Sequence, residues 1–469
     1  MSTVVSPAGV RAPNESYTPP QAVSSRVQEG ESRGPTRRFA SIDIVRGAVM
    51  VLMAIDHVRV YSGVPAGGPT PGVFFTRWVT HFCAPAFIFL AGTSAFLYGE
   101  KVRDRGTLAR FLVSRGAWLV LLELTVLRIG WTFNFDFGHY ALAGVIWAIG
   151  WCMILLAGLV FLPRTAVGAI GVAIIALHNI TDFFQVPLAR AASASSMSWL
   201  WQILYFGGDI ALGGDDGLHV AVLYSIIPWI GVMAAGFAFG RVFQLDAQRR
   251  RRICVAIGGG AIAAFLVLRG FNLYGDPRPW GDAARRAAAQ RLAAQRASSQ
   301  PSPASSQAAT QPPAQPAARP PAASAPRRQP PRTPALLQFL GTNNYPASLL
   351  FLLMTLGPTI LLLPFLERAN GRVARVLTVF GRVPFFYYVL HIPLIHLVFV
   401  GLSLARFGTV IPWMTANHPM YPPPPPPGYT YSLLALYAVF AAVVTVLYFP
   451  CRWFANLKAR RHDRWLSYL

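Results

Sequence analysis

The stretch SIDIVRGAVMVLMAIDHVRV, residues 41–60, places acidic, basic and histidine side chains within an otherwise apolar segment. At about 100° per residue of an α-helix, Arg46 lies roughly 60° and His57 roughly 40° from Asp43 around the axis, whereas Asp56 points to the other side. Each charged side chain near a bilayer centre costs about 3 kcal/mol, so such residues persist where they face a cavity, a partner or a substrate. The stretch therefore predicts a membrane helix with a functional polar stripe.

The composition of the chain is that of a membrane protein. Of its 469 residues, 54% are hydrophobic and 13% are charged, and the mean hydropathy is +0.43. Soluble domains carry about 25% charged residues. Apolar runs near 20 residues long predict an all-α, multi-pass transmembrane bundle of about ten helices. The predicted spans begin near Ile44, Trp78, Phe111, Ala141, Val167, Val220, Ile253, Ala347, Phe385 and Leu433.

The net charge of +23 comes from arginines that cluster at the ends of apolar segments, unlike the aromatic-interleaved surfaces that bind nucleic acid. Threading the predicted spans puts most of these clusters on one side, so the positive-inside rule predicts that both termini are cytoplasmic. The arginine-rich stretch 276–332 falls on the other side, but long loops translocate largely regardless of charge. The arginine-, alanine- and proline-rich composition indicates a high-GC bacterial genome, and hence an inner-membrane location.

One membrane domain, residues 39–456, is predicted between two tails. Residues 1–38 are polar and lack the apolar core of a signal peptide, so they predict a disordered cytoplasmic tail, and residues 457–469 predict a basic cytoplasmic tail. Residues 276–334, rich in Ala, Pro, Gln, Ser and Arg, predict a flexible insertion because they cannot bury enough apolar surface. The run Pro422–Pro427 predicts a stiff spacer.

Three further segments bring ionisable groups towards the middle or outer half of the membrane. The second span carries Arg77 and His81 four residues apart on one helix face, the third carries Glu123, and the ninth carries His391. A purely structural role is open for some of them. Glu123 and Arg77 could pair to fasten the bundle, and His391 could satisfy carbonyls freed by a kink at Pro393.

A histidine in a polar pocket can act as a general base because its ordinary pKa, about 6.5, is close to the operating pH. We predict that His57 deprotonates a hydroxyl or an amine as that group attacks an activated carbonyl. Asp56 or Glu123 could orient the ring, and Arg77 could stabilise the developing oxyanion. The candidate catalytic residues are therefore His57, Asp56, His81, Arg77 and Glu123.

No metal site is predicted from the sequence. The histidines lack the spacing of a zinc site, and the HExxH motif is absent. The cysteines lie in or beside apolar segments without metal or redox spacing, so we interpret them as packing residues. They are Cys83, Cys152, Cys254 and Cys451.

Three stretches carry a family resemblance: RFASIDIVRGAVMVLMAIDH (38–57), FFTRWVTHFCAPAFIFLAGTSAFLYG (74–99) and FGRVPFFYYVLHIPLIH (380–396). They resemble bacterial relatives of the heparan-alpha-glucosaminide N-acetyltransferase catalytic domain. The pattern is also similar, more distantly, to the membrane acyltransferases of family three, in which an Asp-x-x-Arg motif precedes a histidine. In this chain those positions are Asp43, Arg46 and His57, and the late Tyr-x-x-x-His signal is approximated by Tyr387, Tyr388 and His391.

The resemblance extends over roughly residues 38–455. It implies an acyltransferase that takes an acyl group, acetyl in the first instance, from cytoplasmic acyl-CoA and delivers it to a hydroxyl or amine of a sugar-like acceptor at the outer face. The loop Ser62–Thr76 contains no histidine, unlike the lysosomal enzyme, which shifts the predicted base to His57 or His81. Asp43, Arg46, Arg382 and His391 are assigned to the CoA donor, because basic residues lie at the inner ends of the histidine-bearing helices.

Two other classes of protein compete with this prediction. A transporter or channel for a polar solute would use the same charges to line a permeation path. The sequence shows no internal repeat, which disfavours many transporter folds. A scaffold that binds partners through its proline-rich loops would leave the intramembrane polar stripe unexplained.

Overall fold

A computed structural model describes residues 39–461 except 69, 185–195, 215, 283–285, 287–332 and 418–424, and it also describes residue 463. Several predictions fall outside these described residues. They are those for the tail 1–38, for most of the insertion 276–334, for the first three prolines of Pro422–Pro427, and for most of the tail 457–469.

Helices make up most of the described chain. They are α1 (Ala40–Ser62), α2 (Pro71–Trp78), α3 (Cys83–Val102), α4 (Arg105–Leu122), α5 (Arg128–Thr132), α6 (Val145–Leu159), α7 (Arg164–Leu177), α8 (Ser198–Trp201), α9 (Ile226–Phe239), α10 (Ala247–Gly270), α11 (Ala335–Leu340), α12 (Leu349–Leu366), α13 (Arg372–Arg382), α14 (Pro384–Phe407) and α15 (Leu433–Arg460). Two π-helical turns, Glu123–Leu127 and Gln202–Phe206, follow α4 and α8, and short 3-10 turns lie at Val79–Phe82, His178–Phe184, Gly240–Gln244 and Pro412–Thr415.

The chain is a multi-pass integral membrane protein, which confirms the predicted all-α class. In the described part, seven helical stretches are long and apolar enough to cross a membrane. They are Pro71–Val102, Arg164–Phe184, Ile226–Gln244, Ala247–Gly270, Leu349–Leu366, Pro384–Phe407 and Leu433–Arg460. The other predicted spans coincide with α1, with α4 to α5, and with α6, which is apolar but shorter. The total of about ten helices and the cytoplasmic termini stay predictions.

A small sheet replaces the expected starts of two predicted spans. Strands β1 (Tyr140–Ala143), β2 (Gly208–Leu212) and β3 (Leu218–Val222) pair in the order β1-β3-β2, with β1 parallel and β2 antiparallel to β3. Helices α6 and α9 therefore begin a few residues after Ala141 and Val220, where the sequence predicted the spans to start. The predicted starts are too early because a short buried strand and the helix that follows it form one continuous apolar run. Periodicity alone does not show where the strand ends and the helix begins.

Helix α1 is surrounded by other helices, namely α3, α12, α13, α14 and α15. Helix α1 approaches α13 most closely, because each of the two helices has a glycine that faces the backbone of the other. A Cβ atom at Gly47 would overlap with the carbonyl oxygen of Leu377, and one at Gly381 would overlap with that of Asp43. Small residues of this kind let two membrane helices approach until their backbones touch. The contact fixes the first half of α1 in the bundle.

All four cysteines are buried and free, which agrees with their interpretation as packing residues.

Candidate functional site

A cavity of about 720 Å³ lies at the end of the bundle where α1 ends at Ser62. We call this the Ser62 end, and we call the opposite end, where α1 begins at Ala40, the Ala40 end. Helix α1 contributes Asp56 and His57 to the wall of this cavity, and Arg77 and Glu123 come from α2 and the first π-helical turn. Aromatic side chains also line it, namely Trp131, Phe206, Tyr224, Tyr345, Tyr388 and Trp413. Four of the five candidate catalytic residues thus face one space.

Asp56 holds two arginines at the cavity wall. Its carboxylate accepts hydrogen bonds from Nε of Arg59 at 2.8 Å and from Nη1 of Arg77 at 2.6 Å. The side chains are 12–17% exposed, so the pairs are partly shielded from solvent and stronger than surface ion pairs. Asp56 therefore pairs with Arg77, and the alternative pairing of Arg77 with Glu123 is not the one that forms.

The Arg77 guanidinium is also held by residues distant in sequence. Its Nη2 donates to the hydroxyl of Tyr345 at 3.2 Å, and that hydroxyl donates to the hydroxyl of Tyr224 at 3.4 Å. Burial raises the pKa of Tyr224 well above its ordinary value, so this phenol keeps its proton. The loops before α9 and α12 therefore help to position a group from α2.

His57 contacts a second histidine rather than a carboxylate. Its Nδ1 lies 2.6 Å from Nε2 of His391, and the edge of its ring meets Trp131 with the centroids 4.7 Å apart. His57 is 9% exposed, whereas His391 is fully buried. The sequence assigned ring orientation to Asp56 or Glu123 and placed His391 in donor binding. In the structure it is His391 that touches the His57 ring.

Glu123 is the first residue of the first π-helical turn, directly after α4, and its side chain faces the start of α6. Its side chain is fully buried, and Oε1 occupies the space that a Cβ at Gly144 would fill. Gly144 directly precedes α6, so the carboxyl group faces a helix N-terminus, where negative charge is favoured. π-Helical turns are frequent at functional sites because they re-aim side chains within a helix.

His81 is the candidate that does not line the cavity. Its ring meets Phe351 with the centroids 5.5 Å apart, and its buried Nδ1 has no hydrogen-bond partner. The sequence placed Arg77 and His81 on one face of a regular α-helix. The segment Val79–Phe82 is instead a 3-10 turn, which advances about 120° per residue, so the two side chains diverge.

Three of the residues assigned to the CoA donor lie at the Ala40 end. Asp43 is buried and its main chain packs against Gly381, and Arg46 donates to the carbonyl of Leu90 at 3.2 Å and to the hydroxyl of Ser94. Arg382 is exposed at the end of α13. None of Asp43, Arg46 and Arg382 is among the residues that line the cavity. The structure therefore separates them from His391.

Some site residues were not found from the sequence. Arg59 had a local signal, because it lies three residues after Asp56 on the same helix. Tyr345 had none, since it lies in the connection between α11 and α12, and its contact with Arg77 spans 268 residues. Among the described residues, no three His, Cys, Asp or Glu side chains are placed to hold a metal ion.

Comparison with known families agrees with the resemblance noted in the sequence. Residues 38–272, just over half of the chain, match the family described as heparan-alpha-glucosaminide N-acetyltransferase, catalytic. The match includes Asp56, His57, Arg77 and Glu123 and ends before His391. No curated protein matches the chain. The chain therefore belongs to the heparan-alpha-glucosaminide N-acetyltransferase catalytic family, whose activity is that of a transferase.

Proposed function

We propose that this protein is a membrane-embedded acetyltransferase that moves an acetyl group from acyl-CoA to a hydroxyl or an amine of a sugar-like acceptor bound in the cavity. The observation that carries the proposal is the placement of His57 at the wall of this cavity beside the Asp56–Arg77 pair. The Nδ1 atom of His57 is occupied by His391, so Nε2 is the nitrogen left for an acceptor. Family membership supports the acetyl group as the group transferred.

In the proposed reaction, His57 Nε2 removes the proton from the acceptor as the acceptor oxygen or nitrogen attacks the thioester carbonyl. The carbon–sulfur bond of the tetrahedral intermediate then breaks, and the CoA thiolate leaves and takes the proton from Nε2. A guanidinium has five N–H groups, and Arg77 uses three of them in hydrogen bonds to Asp56, to Tyr345 and to the hydroxyl of Thr80 at 3.2 Å. The remaining N–H groups of Arg77 are available to stabilise the oxyanion.

The proposal also includes the location of the acyl-CoA donor site and the orientation of the protein in the membrane. We place the Ser62 end at the outer face and the Ala40 end in the cytoplasm, on the distribution of arginines along the sequence. Arg382, which is exposed at the Ala40 end, would then attract the CoA phosphates. Asp43 and Arg46 would hold the inner part of α1 in place around the donor. This part of the proposal rests on charge and position, because the cavity lining does not reach these residues.

Acetyl transfer by the full-length protein tests the proposal. The protein would be reconstituted in liposomes with acetyl-CoA labelled in the acetyl group, using glucosamine as the amine probe and methyl glucoside as the hydroxyl probe. We expect His57→Ala to lower the rate by about 1,000-fold, the usual size of a lost general base. His139→Ala is the matched control, because that histidine is 63% exposed and does not line the cavity.

Undiminished transfer by His57→Ala would remove this residue from the role of base. The carrier alternative is tested in the same vesicles, since a transporter would move labelled glucosamine across the membrane without any thioester present.

A further inference from the structure

The contact between His57 and His391 joins side chains that are 334 residues apart. His391 lies beyond residues 38–272, the segment that defines the family match. Its partner His57 lies within that segment and lines the cavity. The second part of the chain thus supplies a fully buried group that touches the proposed base and does not line the cavity itself.

The direction of this hydrogen bond follows from the other contacts of His391. Its Nδ1 lies 2.8 Å from the carbonyl oxygen of Tyr388 and 3.1 Å from that of Tyr387. A carbonyl oxygen can only accept, so Nδ1 of His391 carries a proton. A neutral ring then has an unprotonated Nε2. The ring is neutral because it is fully buried and because, among the described residues, its nitrogens meet His57 and two backbone carbonyls rather than a carboxylate. Nε2 of His391 must therefore accept a hydrogen bond from Nδ1–H of His57.

A purely structural role at the Pro393 kink does not explain the hydrogen bonds of His391. Pro393 lacks an N–H, and the carbonyl this leaves without its helical partner belongs to Val389, four residues earlier. His391 does not bond that carbonyl; it bonds those of Tyr387 and Tyr388. Relief of the proline kink therefore accounts neither for the carbonyls that are chosen nor for the placement of Nε2 against His57.

We propose, on the basis of the function proposed above, that His391 is a positioning residue that fixes the proton of His57 on Nδ1 and keeps Nε2 unprotonated and directed to the acceptor. A neutral imidazole has two tautomers, and only the one with a free Nε2 can take a proton from the cavity side. Packing holds the arrangement: the His391 ring stacks on Tyr387 with the centroids 5.1 Å apart, and the Trp131 edge contact restrains His57.

His391 also stabilises the product of the proton transfer. When Nε2 of His57 takes the acceptor proton, the hydrogen bond from its Nδ1 becomes charge-assisted, and such bonds are roughly twice as strong as neutral ones. The other ionisable groups that face this ring are Asp56, Arg59, Arg77 and Glu123 at the cavity wall, and Tyr388 beside it. Since Asp56 is already paired with two arginines, His391 is the group placed to share the new charge.

Two variants of His391 separate positioning from packing. His391→Phe keeps a ring of similar size but provides no acceptor for the His57 proton. His391→Gln provides an amide oxygen that can accept it. We expect His391→Phe to lower kcat by about 100-fold with little change in KM, as for lost partners that orient a ligand or base. We expect His391→Gln to recover most of that loss.

Nitrogen-15 spectra of the histidine-labelled wild-type protein give a readout that does not depend on activity. The signals of His57 are identified by their loss in His57→Ala. We expect a protonated Nδ1 and an unprotonated Nε2. A protonated Nε2 in the wild type, or a fully active His391→Phe, would overturn the inference. If His57→Ala is inactive while His391→Phe is fully active, only the inference fails. If His57→Ala is fully active, the role of His57 as the base fails as well, whereas absence of acetyl transfer by the wild-type protein would contradict the proposed function itself.

Discussion

The two ends of α1 carry similar residues in different surroundings. At the Ala40 end, Asp43 is buried against α13, and Arg46 bonds the backbone and a hydroxyl of α3. At the Ser62 end, Asp56 and His57 line a cavity, and each has a partner from a distant segment. A polar stripe on a membrane helix is therefore not one functional surface. Whether a residue meets backbone or open space depends on the neighbouring helix.

The largest expected effect comes from a substitution that disrupts the packing at the Ala40 end. In Gly381→Ala, the new methyl group overlaps with the carbonyl oxygen of Asp43, and α13 must move away from α1. We expect a loss of about 3 kcal/mol of stability, the upper range for overpacking. Thermal unfolding in detergent measures it. Gly371→Ala is the control, because a Cβ at Gly371, which precedes the same helix, meets no atom within 4 Å. Equal unfolding temperatures for the two variants would contradict the close contact.

The next effect concerns the Ser62 end. Asp56→Asn keeps the shape of the side chain but removes the charge between Arg59 and Arg77, so two guanidinium groups remain beside His57 without their counter-charge. We expect the rate of acetyl transfer to fall by about 100-fold, because Arg77 loses its position and a proton on His57 is disfavoured. Asp136→Asn is the control, since its side chain is 41% exposed and does not line the cavity. Similar rates for both variants would show that the ion pair is not needed.

The smallest expected effect comes from a substitution that tests whether the Ala40 end also binds the donor. We expect Arg382→Gln to raise the KM for acetyl-CoA about fivefold without changing kcat, because an exposed arginine contributes modestly to phosphate binding. The effect should shrink at high salt. Arg252→Gln, which replaces another exposed arginine, is the control. A KM equal to that of the control would remove Arg382 from the donor site.

The sequence predicted the membrane helices well because long apolar runs have few other solutions in water or lipid. It also placed ionisable groups of four segments towards the middle or outer half of the membrane. Of these, His57, Arg77 and Glu123 line one cavity, whereas His81 and His391 do not. Depth follows from counting residues along a helix, since each residue adds about 1.5 Å. Residues on different helices can therefore be assigned to one level of the bundle from sequence alone.

The contacts between those residues could not be predicted in the same way. The pairing of Arg77 with Asp56 depends on the rotation of α2 relative to α1, and His81 turns away only because a 3-10 turn interrupts the helix. The His57–His391 contact depends on how α14 packs on α1 and α5, which no local pattern in either segment encodes. The small sheet was missed because its strands are continuous with apolar runs.

The segment that identifies the family ends more than a hundred residues before the ring that touches His57. On the mechanism proposed above, chains that share this segment can differ in chemistry, because a substitution near position 391 would change the reactivity of His57 while His57 itself stays the same. Classification by the first half of such chains groups them by ancestry and leaves open how strongly each one activates its nucleophile. Sorting these proteins by activity requires reading their final third as well.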